Sequence, residues 1–194
     1  MNTINVNYVY VYIFYISFIG RMDMFKDISR FNNIGDYLPI IAAILIVDII
    51  GIIMSYTHII QSKFLRVWYQ QFLLSAVLAD VLLIFLCFVI ARAIYYYIFD
   101  EFSIINFILL MLVLQITHDI LFYIMIRQIP KGSNKVIDVF KDYADEISYF
   151  AIIGDSSMII ASGVIASYLA NFDVNTNIIL ITLLVYILQF ILHT

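Results

Sequence analysis

Five apolar stretches, each long enough to cross a hydrocarbon core, constrain this chain more than any other feature; they cover residues 37–56, 72–99, 102–126, 147–169 and 177–193. A helix rises 1.5 Å per residue and the core is ~30 Å thick, so about 20 residues suffice to span it. Lipid offers no hydrogen bonds, so each stretch must satisfy its own backbone, and the fold class predicted is all-α. The architecture is a polytopic transmembrane helical bundle of five spans, or six if the N-terminal segment also crosses. Composition agrees. The chain is 64% hydrophobic and 12% charged, against about 45–50% apolar and about 25% charged in soluble domains.

Residues 31–194 read as a single transmembrane helical domain, and residues 1–30 as an N-terminal apolar segment that stands apart. Within it, Tyr8 to Ile19 is short for a span and rich in β-branched and aromatic residues, the composition of a strand. A basic leader region and a small-residue cleavage site are both missing, which argues against a cleaved signal peptide. Met22 and Met24 are candidate true starts, with the earlier residues an over-extended reading frame.

Short hairpins are predicted at Phe99-Asp100-Glu101 and across 171–176. Between spans three and four, Pro130-Lys131-Gly132-Ser133-Asn134 is a turn cluster. After it, Val136, Val139, Phe140, Tyr143 and Ile147 recur at spacings of three and four, with Lys135, Asp138, Lys141, Asp142 and Asp145 falling elsewhere around the helix. This predicts one amphipathic cytoplasmic surface helix leading into span four. Residues 57–71 read as a loop, with Arg66, Trp68, Tyr69 and Gln70 at the mouth of whatever lies beneath. Lys63, Arg66, Arg127, Lys131, Lys135 and Lys141 fall on one side of the membrane, and Arg21, Lys26 and Arg30 on the other. The basic excess places the first side, and the C-terminus with it, in the cytoplasm. Tyr95, Tyr96 and Tyr97 read as interface anchors, and Arg92 as a side chain that snorkels to the same interface.

A net charge of −4 without a basic stripe excludes nucleic acid as a partner. Cys87 is the only cysteine, so an intrachain disulfide or dithiol centre is impossible, and it reads as a small buried hydrophobe.

Chemistry concentrates in one place. Asp48, Asp80, Asp119 and Asp155 each lie deep in one of the first four spans. An Asp at a helix centre costs about 2.5–3.5 kcal/mol on insertion scales, so four cost on the order of 10 kcal/mol before they satisfy one another. Counted from the presumed cytoplasmic ends, with alternate spans read in opposite directions, all four fall ~10–12 Å below the same face. On span three, Gln115, His118 and Asp119 share a helical face, with Tyr123 one turn further. Span four places Ser156 and Ser157 beside Asp155. It also carries small residues at four-residue steps, namely Ser157 with Ala161, Gly163 with Ser167, and Ser162 with Ala166 and Ala170, which allow close helix packing.

Two readings of this layer stand open. In one, Asp48, Asp80, Gln115, His118, Asp119 and Asp155 form a centre for a divalent cation or a proton. In the other, protonated acids, His118, Gln115 and the serines are interhelical glue. No cofactor is required by the sequence, and no protease, P-loop or phosphatase motif assigns a reaction.

Several strings resemble a family: Leu65-Arg66-Val67-Trp68-Tyr69-Gln70-Gln71 with residues 75–80, Gln115-Ile116-Thr117-His118-Asp119, and the run from Ile129-Pro130-Lys131-Gly132 through Phe140-Lys141-Asp142-Tyr143 to Gly154-Asp155-Ser156. Together they are similar to uncharacterised multi-pass membrane proteins of nucleocytoplasmic large DNA viruses, the giant-virus group, over roughly residues 31–194. The resemblance implies a viral source and a virion or host internal membrane, and transfers no catalytic role. The skew toward Ile, Tyr, Phe and Asn suits an AT-rich genome. The expectation is a structural or membrane-organising viral membrane protein. Its partners would be the lipid bilayer and a second copy or other virion membrane proteins. The alternative is a small transporter, channel or intramembrane metal-dependent enzyme that uses the acid layer.

Overall fold

The computed structural model describes residues 24–147 and 150–193. The expectations for the N-terminal segment up to residue 23 lie outside the described residues. A 3-10 turn at Ile34–Asp36 leads into α1 (Tyr37–Tyr56), followed by α2 (Lys63–Phe72), α3 (Leu74–Ile98), α4 (Ile104–Gln128), α5 (Lys135–Ile147), α6 (Phe150–Leu169) and α7 (Val174–Leu192). Helices α1, α3, α4, α6 and α7 are long and apolar enough to cross a membrane. The chain is a multi-pass all-α helical bundle.

Helix α1 is its axis. It packs against α3, α6 and α7, while α4 packs on α3 and α6. The apolar window of α1 is 61% buried against 11% for α7, whose Ile179, Leu183, Ile187 and Phe190 face outward. The outer face of α3 is a stripe at four-residue steps, Leu74, Leu78, Leu82, Leu86 and Ile90. Such faces suit lipid. Hydroxyls on the outer surface bond their own helix, as Thr117 does with the Val113 carbonyl at 2.7 Å and Thr182 with that of Ile178 at 2.8 Å.

The small residues of α6 serve two partners. Ser162, Ala166 and Ala170 are buried, and a Cβ added at Gly163 would lie 2.9 Å from Ile108 Cγ1 on α4. Close backbone approach there requires glycine. Cys87 is buried as expected, its thiol 3.4 Å from the Met111 carbonyl across the α3–α4 contact.

The structure corrects the sequence reading in three places. Residues 63–72 form the amphipathic helix α2, capped by the Ser62 hydroxyl on the Leu65 N–H at 3.0 Å; they are not a loop. Span two therefore starts at Leu74, after a sharp break at Leu73, whose φ is 46°. Arg92 does not snorkel. It is 1% exposed and donates to the carbonyls of Arg30 and, at 2.7 Å, Asn33, with the Asp36 carboxylate at 3.5 Å and the Tyr37 ring beneath it at 4.3 Å. The three tyrosines also divide. Tyr97 is exposed, whereas Tyr95 is buried and accepts the Ser103 N–H at 2.9 Å, and the Tyr96 hydroxyl donates to Asp27 at 2.8 Å.

Residues 24–33 close this end of the bundle. The Lys26 N–H donates to the Ser167 carbonyl at 3.2 Å, the Ser167 hydroxyl returns a bond to the Lys26 carbonyl at 2.6 Å, and Asn171 reaches the Met24 carbonyl at 2.7 Å. Burial raises the Asp27 carboxyl, but donors from Ser29, Tyr96 and Arg30 outweigh it and hold it below its ordinary value.

Candidate functional site

At the other end, α2 and α5 lie together as a two-helix roof. Each is strongly amphipathic, and α2 packs on α5, α3 and α1. Their seam is aromatic: the Trp68 ring lies 4.7 Å from Phe140, which meets Phe122 of α4 edge-on at 5.3 Å. Glu146 of α5 fastens the start of α2. It accepts the Ser62 hydroxyl at 2.5 Å and the N–H groups of Lys63 and Phe64 at 2.8 and 3.2 Å. A carboxylate there meets orphan N–H groups and the positive end of the helix dipole. Burial raises the Glu146 carboxyl, but those donors outweigh it and the net shift is downward.

Beneath the roof lies the acid layer. Asp48 is fully buried on α1, and its Oδ1 accepts the Tyr69 hydroxyl at 3.3 Å. Asp80 on α3 accepts the Trp68 indole N–H at 3.1 Å. Trp68 and Tyr69 are adjacent residues on the buried face of α2, so a single helix turn reaches two spans. Burial first, then the charges of Asp80 and Asp48 and hydrogen bonds to both, push the Tyr69 phenol well above its ordinary range.

Asp119 on α4 is served from its own helix. Gln115 donates to its Oδ1 at 2.8 Å, and His118 Nδ1 lies 3.3 Å from the same oxygen while its ring stacks on Phe122. Tyr123 is not part of this group; its exposed ring sits under the Arg127 guanidinium. Asp155 on α6 lies within the fields of Asp119 and Asp80 and makes no side-chain hydrogen bond among the described residues. Tyr143 of α5 spans the group. Burial, then the charges of Asp155, Asp80, Glu146 and Asp119, push its phenol upward.

The four acids are therefore electrostatic neighbours in the order Asp48, Asp80, Asp155, Asp119, on four helices. Each of the three that are hydrogen-bonded uses a different donor. Among the described residues, no three His, Cys, Asp or Glu side chains are grouped as a metal ion would require. Two carboxyl oxygens, Asp48 Oδ2 and Asp119 Oδ2, are buried with no partner among the described residues. Sequence reasoning found the acids but not Trp68, Tyr69 and Tyr143 as the groups that meet them. The available signal was the apolar spacing Leu65, Trp68, Phe72 after Ser62.

The fold and this layer define a class: a multi-pass helical membrane protein with a roofed polar level. No protein-family model, curated protein or solved structure matches the chain.

Proposed function

We propose that this protein is a structural, membrane-organising component of a virion or host internal membrane, and that its polar level fastens the roof helices to the spanning bundle. One observation carries the reading: Asp48 and Asp80, on two different spans, are bonded to separate donors of α2, Tyr69 and Trp68. Scattered pairing of this kind ties helices to one another. The strings around Trp68, His118 and Asp155 that resemble giant-virus membrane proteins support the viral setting, and the basic residues of α2 and α5 support a cytoplasmic roof.

A second reading rests on Asp48 Oδ2 and Asp119 Oδ2, since buried acceptors without donors also suit a small transporter or channel that moves protons or cations. Quantitative proteomics of purified virions and a proton- or cation-flux assay in proteoliposomes separate the two. The structural role is expected to give many copies per virion, no flux, and unchanged assembly in Asp119→Asn. Low abundance together with a flux that Asp119→Asn abolishes would overturn it.

A further inference from the structure

Asp48 and Asp80 stand out within the layer. Asp48 is fully buried on the most enclosed helix, with Oδ1 on Tyr69 and Oδ2 unpartnered among the described residues. Asp80 on α3 is bonded by Trp68, the residue adjacent to Tyr69 on α2, so the two acids are met by neighbouring side chains, and Tyr69 lies in the field of both. Other ionisable groups approach from the neighbouring elements: Asp155 on α6, Asp119 and His118 on α4, and Tyr143 on α5. Tyr186 of α7 and His193, just past its end, are exposed. Among the described residues, no Lys or Arg pairs with either carboxyl.

We propose that Asp48 and Asp80 bind one proton between them, beside Tyr69, and that α2 is the lid through which this proton exchanges with water. Two ionised carboxylates facing each other in a low dielectric repel strongly, and two neutral acids leave the Tyr69 and Trp68 donors without an anion to serve. One shared proton leaves a single negative charge that the Tyr69 O–H and Trp68 N–H both stabilise.

Helix α2 is built to act as the lid. It is ten residues long, and it hinges on Leu73, a non-glycine residue at φ 46° and ψ −124°, a strained conformation for an L-residue. At its far end it is held by Glu146. Lifting it breaks the Tyr69 and Trp68 bonds together and opens the pair to water.

The inference rests on the polar level being a fastening, and its test is separate from the abundance and flux measurements. Trp68 is the only tryptophan in the chain, so its emission reports the lid directly. The full-length protein in phosphatidylcholine nanodiscs is titrated from acidic to alkaline pH while Trp68 emission, acrylamide quenching and the infrared carbonyl band of protonated carboxylic acid are followed. In the wild type, Trp68 is expected to stay covered until the pair loses its proton. Its emission then shifts to the red and its quenching rises as the carbonyl band is lost. In Asp48→Asn the amide donates to Asp80 in place of the proton, so the band component is absent and Trp68 stays covered throughout. If that variant does not fold, Asp80→Asn takes its place, because its amide still accepts from Trp68 and donates to Asp48. Wild-type emission that ignores pH, or a carbonyl band that neither variant changes, overturns the proposal.

Discussion

The two ends of this bundle bury charge in opposite ways. At the end closed by residues 24–33, a guanidinium is buried and acceptors converge on it: the carbonyls of Arg30 and Asn33, the Asp36 carboxylate and the face of Tyr37. Under the α2–α5 roof, carboxyl groups are buried and neutral donors reach them one at a time, from Tyr69, Trp68 and Gln115. Arginine stays charged at any ordinary pH and needs fixed acceptors. An aspartate can take up a proton, so a buried acid needs fewer partners. One end is a permanent clasp; the other, on the proposal above, depends on protonation.

The comparison is tested most severely at the arginine. Arg92→Ala strands Asp36 and two inward carbonyls, and breaking a buried pair by removing one partner costs about 3–5 kcal/mol. Reversible unfolding in bicelles is expected to show that loss, and a change under about 1 kcal/mol would mean the clasp does not form. Between the two ends, Gly163→Val drives a side chain into Ile108 and Met111, where overpacking costs about 1–3 kcal/mol by the same measurement.

At the roof the effects are smaller. Ser62→Ala removes a helix cap that typically contributes about 0.5–2 kcal/mol. Glu146 adds a pH dependence. Its folded carboxyl lies below its ordinary value, so its contribution is present at neutral pH and is lost as pH falls through that lower value. Glu146→Gln should flatten the acid limb of a stability-against-pH curve; an unchanged limb would remove the Glu146 fastening. Smallest of all is Asp119→Asn, because the amide oxygen still accepts from Gln115, and the expected change is below about 1 kcal/mol. A larger loss would mean that the acid end needs its charge as the arginine end does.

The spans were legible because apolar runs of this length have few alternatives, and α1 begins and ends where the hydropathy does. The amphipathic helix after Pro130 was legible from its spacing, and the structure places it at Lys135–Ile147. Helix α2 was hidden because it runs into span two without glycine or proline, and the break falls on Leu73, which has no preference for positive φ. The burial of Arg92 was hidden for another reason. Its main partners are backbone carbonyls about 60 residues upstream, and a carbonyl has no signature in the sequence. The acids could be found because intramembrane charge is rare. Of their donors, Gln115 could be found from its four-residue spacing to Asp119, but Trp68 and Tyr69 could not, since they meet the acids only after α2 folds back over the bundle.

The most direct test of that fold-back is a double-mutant cycle between Tyr69→Phe and Asp48→Leu, followed by reversible unfolding in bicelles. If the polar level fastens α2 to α1, the two changes are non-additive, with a coupling of about 0.5–1.5 kcal/mol, the range of a buried hydrogen bond. Additive losses would contradict it, leaving α2 as a helix that merely rests on the bundle.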